Sequence, residues 1–227
     1  MRLRTRQRVS SDACRLAYDL GMAGRFTGLI LDFAGVLTSN MVEVIGLFET
    51  RERLAPGTFL RAWADLRGQE LYRQLEAGEI DQRAWNIGFG SLMGIDPDNL
   101  MGRLLYELDP AYEVLRVAKE ARTAGIRTAL LSNSLGRDPH DPYALYDLSG
   151  TFDVVVLSAE HRIRKPDPAI FHLTLEQLGV PAQACVFADD TEANLSPAQA
   201  LGMTVIHSLD EHETAALLRR LLALPRA

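Results

Sequence analysis

The 227-residue chain is poor in cysteine and lysine and has no long apolar run, and each shortage narrows what it can be. Only Cys14 and Cys185 are present, the second inside an apolar stretch. Two thiols fit incidental or buried cysteines better than a disulfide frame, and no cysteine cluster points to zinc. Lysine occurs twice, at Lys119 and Lys165, against 22 arginines. Any function that needs a lysine ammonium therefore has two candidates. No window is long and apolar enough for a membrane span. Arg2, Arg4, Arg6 and Arg8 are not followed by the apolar region of a signal peptide and read as a solvated tail. A positive excess is missing too: the formal charge is −6, which argues against a nucleic-acid footprint. These absences lead to a cytoplasmic protein with neither nucleic acid nor membrane among its partners; nothing in them marks an oligomeric state.

What is present is ordinary globular composition, 47% hydrophobic and 24% charged, in a length that suits one large domain or a core domain with a small insert. Residues 1–24 carry no strand signal and read as an N-terminal extension, with a short helix over Ser11–Leu20. Gly28-Leu29-Ile30-Leu31-Asp32 is a short apolar run ending in an acid, followed by a turn at Gly35, the pattern of a buried parallel strand. Residues 41–109 read as amphipathic helices broken at Pro56-Gly57, Gly78 and Gly94-Ile95-Asp96-Pro97, with no convincing strand. From Asp109-Pro110 onward strands and helices alternate: strands at 128–131, 152–157, 184–188 and 204–206, helices at 112–124, 169–178, through Ala200, and 210–224. Repeated strand–helix units imply an α/β fold, a Rossmann-like parallel sheet with helices on both faces. The core then comprises residues 25–40 and 110–227, with 41–109 as an inserted helical unit.

Three predicted strands end in polar residues: Asp32, then Ser132-Asn133, then Asp189-Asp190. In an open parallel sheet the carboxyl ends of neighbouring strands form one crevice, where ligands bind. Lys165, in Lys165-Pro166-Asp167-Pro168, belongs to a loop or helix start on the same rim. Three acids in a partly dry cleft repel one another strongly, and a bound Mg²⁺ with its preference for hard oxygen ligands removes that problem. Taken singly, a strand-end aspartate is an ordinary turn or cap residue. The inference rests on order and position together.

The same residues carry a family resemblance. Leu31-Asp32-Phe33-Ala34-Gly35-Val36-Leu37-Thr38, Leu130-Leu131-Ser132-Asn133-Ser134, Arg164-Lys165-Pro166-Asp167-Pro168 and Val186-Phe187-Ala188-Asp189-Asp190-Thr191 resemble, in order, the four motifs of the haloacid dehalogenase-like superfamily. The insert matches the position of that family's helical cap, and Leu75–Ile80 resembles a cap segment of its epoxide-hydrolase-like branch. The resemblance implies that Asp32 attacks phosphorus and that Asp32, the Ala34 backbone carbonyl, Asp189 and Asp190 hold Mg²⁺. It also implies that Ser132 and Asn133 bind phosphate oxygens and that Lys165 holds both nucleophile and phosphate. The substrate class it implies is a small phosphorylated metabolite.

One position departs from the family pattern. Phosphatases of this family usually carry a second aspartate two residues after the nucleophile, as acid and base; here the residue is Ala34. A phosphonatase-like reading requires a cap lysine, and residues 41–109 have none. A metal-free dehalogenase would not be expected to retain Asp189-Asp190. Two readings remain: a phosphatase for good leaving groups or with a borrowed base, and a weakened member that binds a phosphorylated ligand or partner protein. Glu43, Glu49 and His140 are candidate substitutes whose plainer reading is as surface residues. The cap arginines at 51, 53, 61, 67 and 73 read as solvated helix faces; Trp63, Trp85 and Phe89 read as helix packing. Asn194 is expected to hold the metal loop or cap a helix, His161, His172 and His207 receive no role, and Arg137–Pro142 reads as a surface loop beside the second motif.

Overall fold

The computed structural model describes residues 25–225; the arginine-rich start, Cys14 and the stretch Ser11–Leu20 lie outside them. Its centre is a sheet of β1 (Gly28–Leu31), β2 (Arg127–Ser132), β3 (Val154–Leu157), β4 (Cys185–Asp189) and β5 (Thr204–His207). The strand order is β3-β2-β1-β4-β5 and every pairing is parallel. β1 is buried along its whole length, as a central parallel strand covered on both faces must be. Its alternate side chains feed two different layers. Leu29 and Leu31 join Leu130, Val186 and Ala188 on one face, while Ile30 joins Ala129, Leu131 and Phe187 on the other. Each of the leucine, isoleucine, valine and phenylalanine side chains contributes roughly 1.5–3 kcal/mol on burial.

Between β1 and β2 come α1 (Met41–Arg51), α2 (Thr58–Ala64), α3 (Leu66–Glu76), α4 (Gln82–Met93) and α5 (Leu100–Leu104). They gather around an apolar cluster of their own, in which Trp85 and Phe89 stack at 4.6 Å. Asn40, Asp65 and Asp81 cap the starts of α1, α3 and α4 by accepting backbone N–H groups. The expected breaks at Gly57, Gly78 and Gly94 are present, but the chain also breaks at Asp65. There the backbone is extended, and a Cβ on Gly68 would lie 1.9 Å from the Ala62 carbonyl oxygen. Trp63, expected to pack, is half exposed because it sits at this break, on the outer side of α2.

After the insert, α6 (Tyr112–Thr123) leads into β2, and α7 (Leu148–Thr151) into β3. α8 (Ser158–His161) and α9 (Pro168–Leu178) precede β4; α10 (Glu192–Ala200) and α11 (Glu211–Leu221) flank β5. Residues of α6 and α11 cover the first face of the sheet and residues of α9 and α10 the second. Hydrogen bonds join the two strands of chain that enter and leave the insert: Ser39 N donates to Asp109 O at 2.7 Å and Ala111 N to Leu37 O at 2.9 Å. Further polar contacts tie the insert to loops that follow β2 and α8. Arg164 pairs with Glu76 at 2.6 Å, and the Gln82 amide both donates to His140 O, at 2.7 Å, and accepts from His140 N, at 3.0 Å. Among the described residues no helix is long and apolar enough to cross a membrane.

Candidate active site

Asp32 stands just beyond the carboxyl end of β1, its amide donating to Ala188 O of β4 at 3.0 Å. The turn that follows depends on Gly35. Its φ is +75°, and a Cβ there would lie 2.4 Å from Asp190 Oδ2, so the loop can rest against Asp190 only with glycine at this position. Asp32 Oδ1 accepts the Phe33 amide and the Lys165 ammonium, both at 2.7 Å. Among the described residues, Oδ2 is left without a donor.

β1 and β4 are neighbours in parallel register, so the end of β4 brings Asp189 and Asp190 to the same rim. One carboxylate oxygen from each of Asp32, Asp189 and Asp190 lies within 4.8 Å of the others. Asp189 is fully buried and accepts from Lys165 Nζ at 2.7 Å, Thr191 N at 2.8 Å and Asn194 Nδ2 at 3.0 and 3.1 Å. Asp190 is half-buried, and its carboxylate accepts the Thr191 hydroxyl at 3.1 Å. Lys165, 1% exposed, reaches between Asp32 and Asp189 because the Asn133 side chain grips its backbone, accepting from Lys165 N at 2.8 Å and donating to Lys165 O at 3.1 Å. Ser132, at the end of β2, is buried with its hydroxyl 3.1 Å from that of Tyr143.

Three carboxylates thus face one ammonium. Burial, first, and the neighbouring Asp189 and Asp190 push the Asp32 carboxyl up to about 8, with Lys165 pulling it back. Burial and Asp189 likewise raise Asp190. Burial draws the Lys165 ammonium down, but Asp32 and Asp189 outweigh it and the net shift is upward. The negative charge left over, presented by oxygen donors alone, suits a hard divalent cation such as Mg²⁺.

Residues 26–202 match the family described as haloacid dehalogenase-like hydrolase. The chain belongs to that family. It is 26% identical over 206 residues to a sesquiterpene phosphatase of Aspergillus oryzae, covering 88% of this chain and 99% of that protein. Acyl-CoA dehydrogenase family member 10 of Mus musculus is 29% identical over 211 residues, 88% of this chain but only 19% of the mouse protein. A phosphoserine phosphatase of Thermus thermophilus is 28% identical over 150 residues, 65% of this chain and 56% of its own length. Among solved structures, a family enzyme of Bacteroides thetaiotaomicron in complex with magnesium and inorganic phosphate superposes with a TM-score of 0.56 at 24% identity, over 79% of this chain and 92% of that one.

Ala34 sits half-buried on the turn after Asp32. None of the three substitutes considered from the sequence is bonded to Asp32 or Lys165 among the described residues. Glu49 is buried for another reason: its carboxylate accepts Gly57 N and Phe59 N, both at 2.7 Å, and so closes the start of α2. Glu43 is exposed on the first turn of α1. The His140 backbone is held by Gln82, and burial lowers the pKa of its imidazole. Other contributors carry no sequence signal beyond their place. His207, given no role, ends β5 opposite Asp189 and its Nε2 lies 2.8 Å from Asp190 O. Tyr143 directly follows the Arg137–Pro142 stretch that reads as a surface loop. A groove of about 1050 Å³ runs along α6 past Tyr112, Leu115 and Tyr146, and no carboxylate of the Asp32 cluster lines it.

Proposed function

We propose that this haloacid dehalogenase-like hydrolase is a magnesium-dependent phosphatase that moves a phosphoryl group from a small phosphorylated metabolite to Asp32 and then to water. The observation that carries the reading is the meeting of Asp32, Asp189, Asp190 and Lys165 within hydrogen-bonding or ion-sharing distance. The phosphatase relatives and the structural neighbour holding magnesium and phosphate support it.

Asp32 is fixed through Oδ1 by Phe33 N and Lys165 and presents Oδ2 to phosphorus. The bond from Asp32 forms as the bond to the leaving group breaks; water then cleaves the aspartyl-phosphate. Ser132 Oγ and the Asn133 amide hold phosphate oxygens, while the Asn133 side chain serves Lys165. Lys165 neutralises charge on nucleophile and phosphate alike. Asp32, the Ala34 carbonyl, Asp189 and Asp190 are the residues to hold Mg²⁺, with Asp190 the freest donor of the set. When bound, the ion offsets the charge of the transferring group. Residues 41–109 act as the cap that closes over the crevice and selects the substrate.

Ala34 sets the chemistry apart. An acid at that position contributes about 10²–10⁴ in rate, and a methyl group moves no proton. Substrates whose leaving group departs as a stable anion, acyl or anhydride phosphates among them, suit such a site. Ala34 also supports a second, lesser reading, a weakened member that binds a phosphorylated ligand or partner. Magnesium-dependent aryl-phosphate hydrolysis by wild type, Asp32→Asn and Ala34→Asp separates the two. Turnover by wild type that Asp32→Asn abolishes supports the phosphatase. Activity found only in Ala34→Asp decides for the binding protein.

A further inference from the structure

The loop from Arg137 to Tyr146 is built to deliver one hydroxyl. Asp141 accepts the Tyr143 amide at 2.9 Å and pairs with Arg137 at 2.9 Å, and the Arg137 guanidinium lies 5.9 Å over the Tyr143 ring. On the inner side the ring packs against Phe33, 4.5 Å between centroids, immediately beside Asp32. The loop is anchored from the insert by the two Gln82–His140 hydrogen bonds. All of this places a buried phenol 3.1 Å from a buried serine hydroxyl at the end of β2.

Which atom donates in that pair decides what an anion meets. A serine hydroxyl has one proton. If Ser132 gave it to Tyr143, a bound phosphoryl oxygen would face lone pairs. We propose that Tyr143 is a positioning residue: its hydroxyl donates to Ser132 Oγ and so turns the Ser132 proton toward the phosphoryl group. The inference rests on the reading of Ser132 as a phosphate ligand. Burial raises the phenol against the pull of its hydrogen bonds to Ser132 and Ser134, so the hydroxyl keeps a proton to give. A donor–acceptor chain of this kind strengthens the terminal bond to a charged acceptor.

A double-mutant cycle on Tyr143→Phe and Ser132→Ala, reading inhibition by inorganic phosphate with magnesium present, tests the assignment. Tyr143→Phe keeps the ring and its contact with Phe33, so its thermal midpoint should match wild type. Phosphate inhibition should weaken about five- to tenfold, the worth of one hydrogen bond to a charged group's ligand. In the Ser132→Ala background the same change should cost nothing further. An inhibition constant unchanged by Tyr143→Phe overturns the proposal. Equal losses in both backgrounds, with or without a fall in the midpoint, make Tyr143 a packing residue and overturn it as well. If wild type neither hydrolyses aryl phosphates nor responds to phosphate, the phosphatase reading itself fails and takes this inference with it. Turnover with an insensitive Tyr143→Phe removes the inference alone.

Discussion

Lys165 is the residue on which the electrostatics of the crevice turn. It is the one ammonium between Asp32 and Asp189, and both partners are buried with it. Replacing one member of a buried ion cluster leaves uncompensated charge, which costs about 3–5 kcal/mol. Lys165→Met should therefore lose about that much stability to urea in the presence of a chelator. Adding Asp189→Asn to it should restore part, because the surviving charges then fall in number. If Lys165→Met unfolds at the same urea concentration as wild type, the cluster is not charged as described. Asp32, Ser132 and Asp189 are legible in the sequence because buried parallel strands are apolar until their carboxyl ends, so the polar residues after Leu31, Leu131 and Ala188 stand out. Tyr143, His207 and the Gln82 anchor were not readable. Each acts through a contact with residues distant in the chain, and such contacts leave no periodicity and no local spacing.

At the scale of elements, Asp153 shows how one acid joins three pieces of structure. Just before β3, it accepts Thr128 N of β2 at 2.9 Å and pairs with Arg122 of α6 at 3.0 Å. Burial alone would raise its carboxyl, but the Thr128 amide and then the Arg122 and Arg127 guanidinia outweigh it and hold it low. A folded-state value below the unfolded one contributes stability above the ordinary carboxylate range, near about 4, and loses it as pH falls through the lowered value. The stability gap between wild type and Asp153→Asn in chemical denaturation should thus be widest near neutrality and narrow steadily in acid. A gap that is constant with pH would refute the assignment. Element boundaries were legible to a few residues for the same reason that Asp153 was overlooked. The strand expected from Phe152 starts at Val154, because Phe152 closes α7 and Asp153 is spent on these cross-links. The break at Asp65 is not legible from glycine and proline punctuation: it is made by the Asp65 side chain capping α3 and by the close approach of Gly68 to Ala62.

For the molecule as a whole, the cation reading makes a thermal prediction. A ligand that binds only the folded chain stabilises it by about 2.7 kcal/mol at a hundred times its dissociation constant. In a protein of this size that is roughly a 5–10 °C rise in midpoint. Scanning fluorimetry should show magnesium producing such a rise in wild type and little in Asp190→Asn. A wild-type midpoint indifferent to magnesium would count against the acid cluster as a metal centre.

The strand order has a consequence for how the chain is made. Of the five strands β1 is made first, yet it sits in the middle of the sheet: Gly28 finds one neighbour at Arg127 and the other only at Cys185. Until most of the polypeptide has been translated, an apolar strand with two open edges waits without partners, the condition under which nascent chains associate wrongly. Whatever shelters Leu29, Ile30 and Leu31 during that interval governs the yield of active protein as much as any residue of the finished crevice.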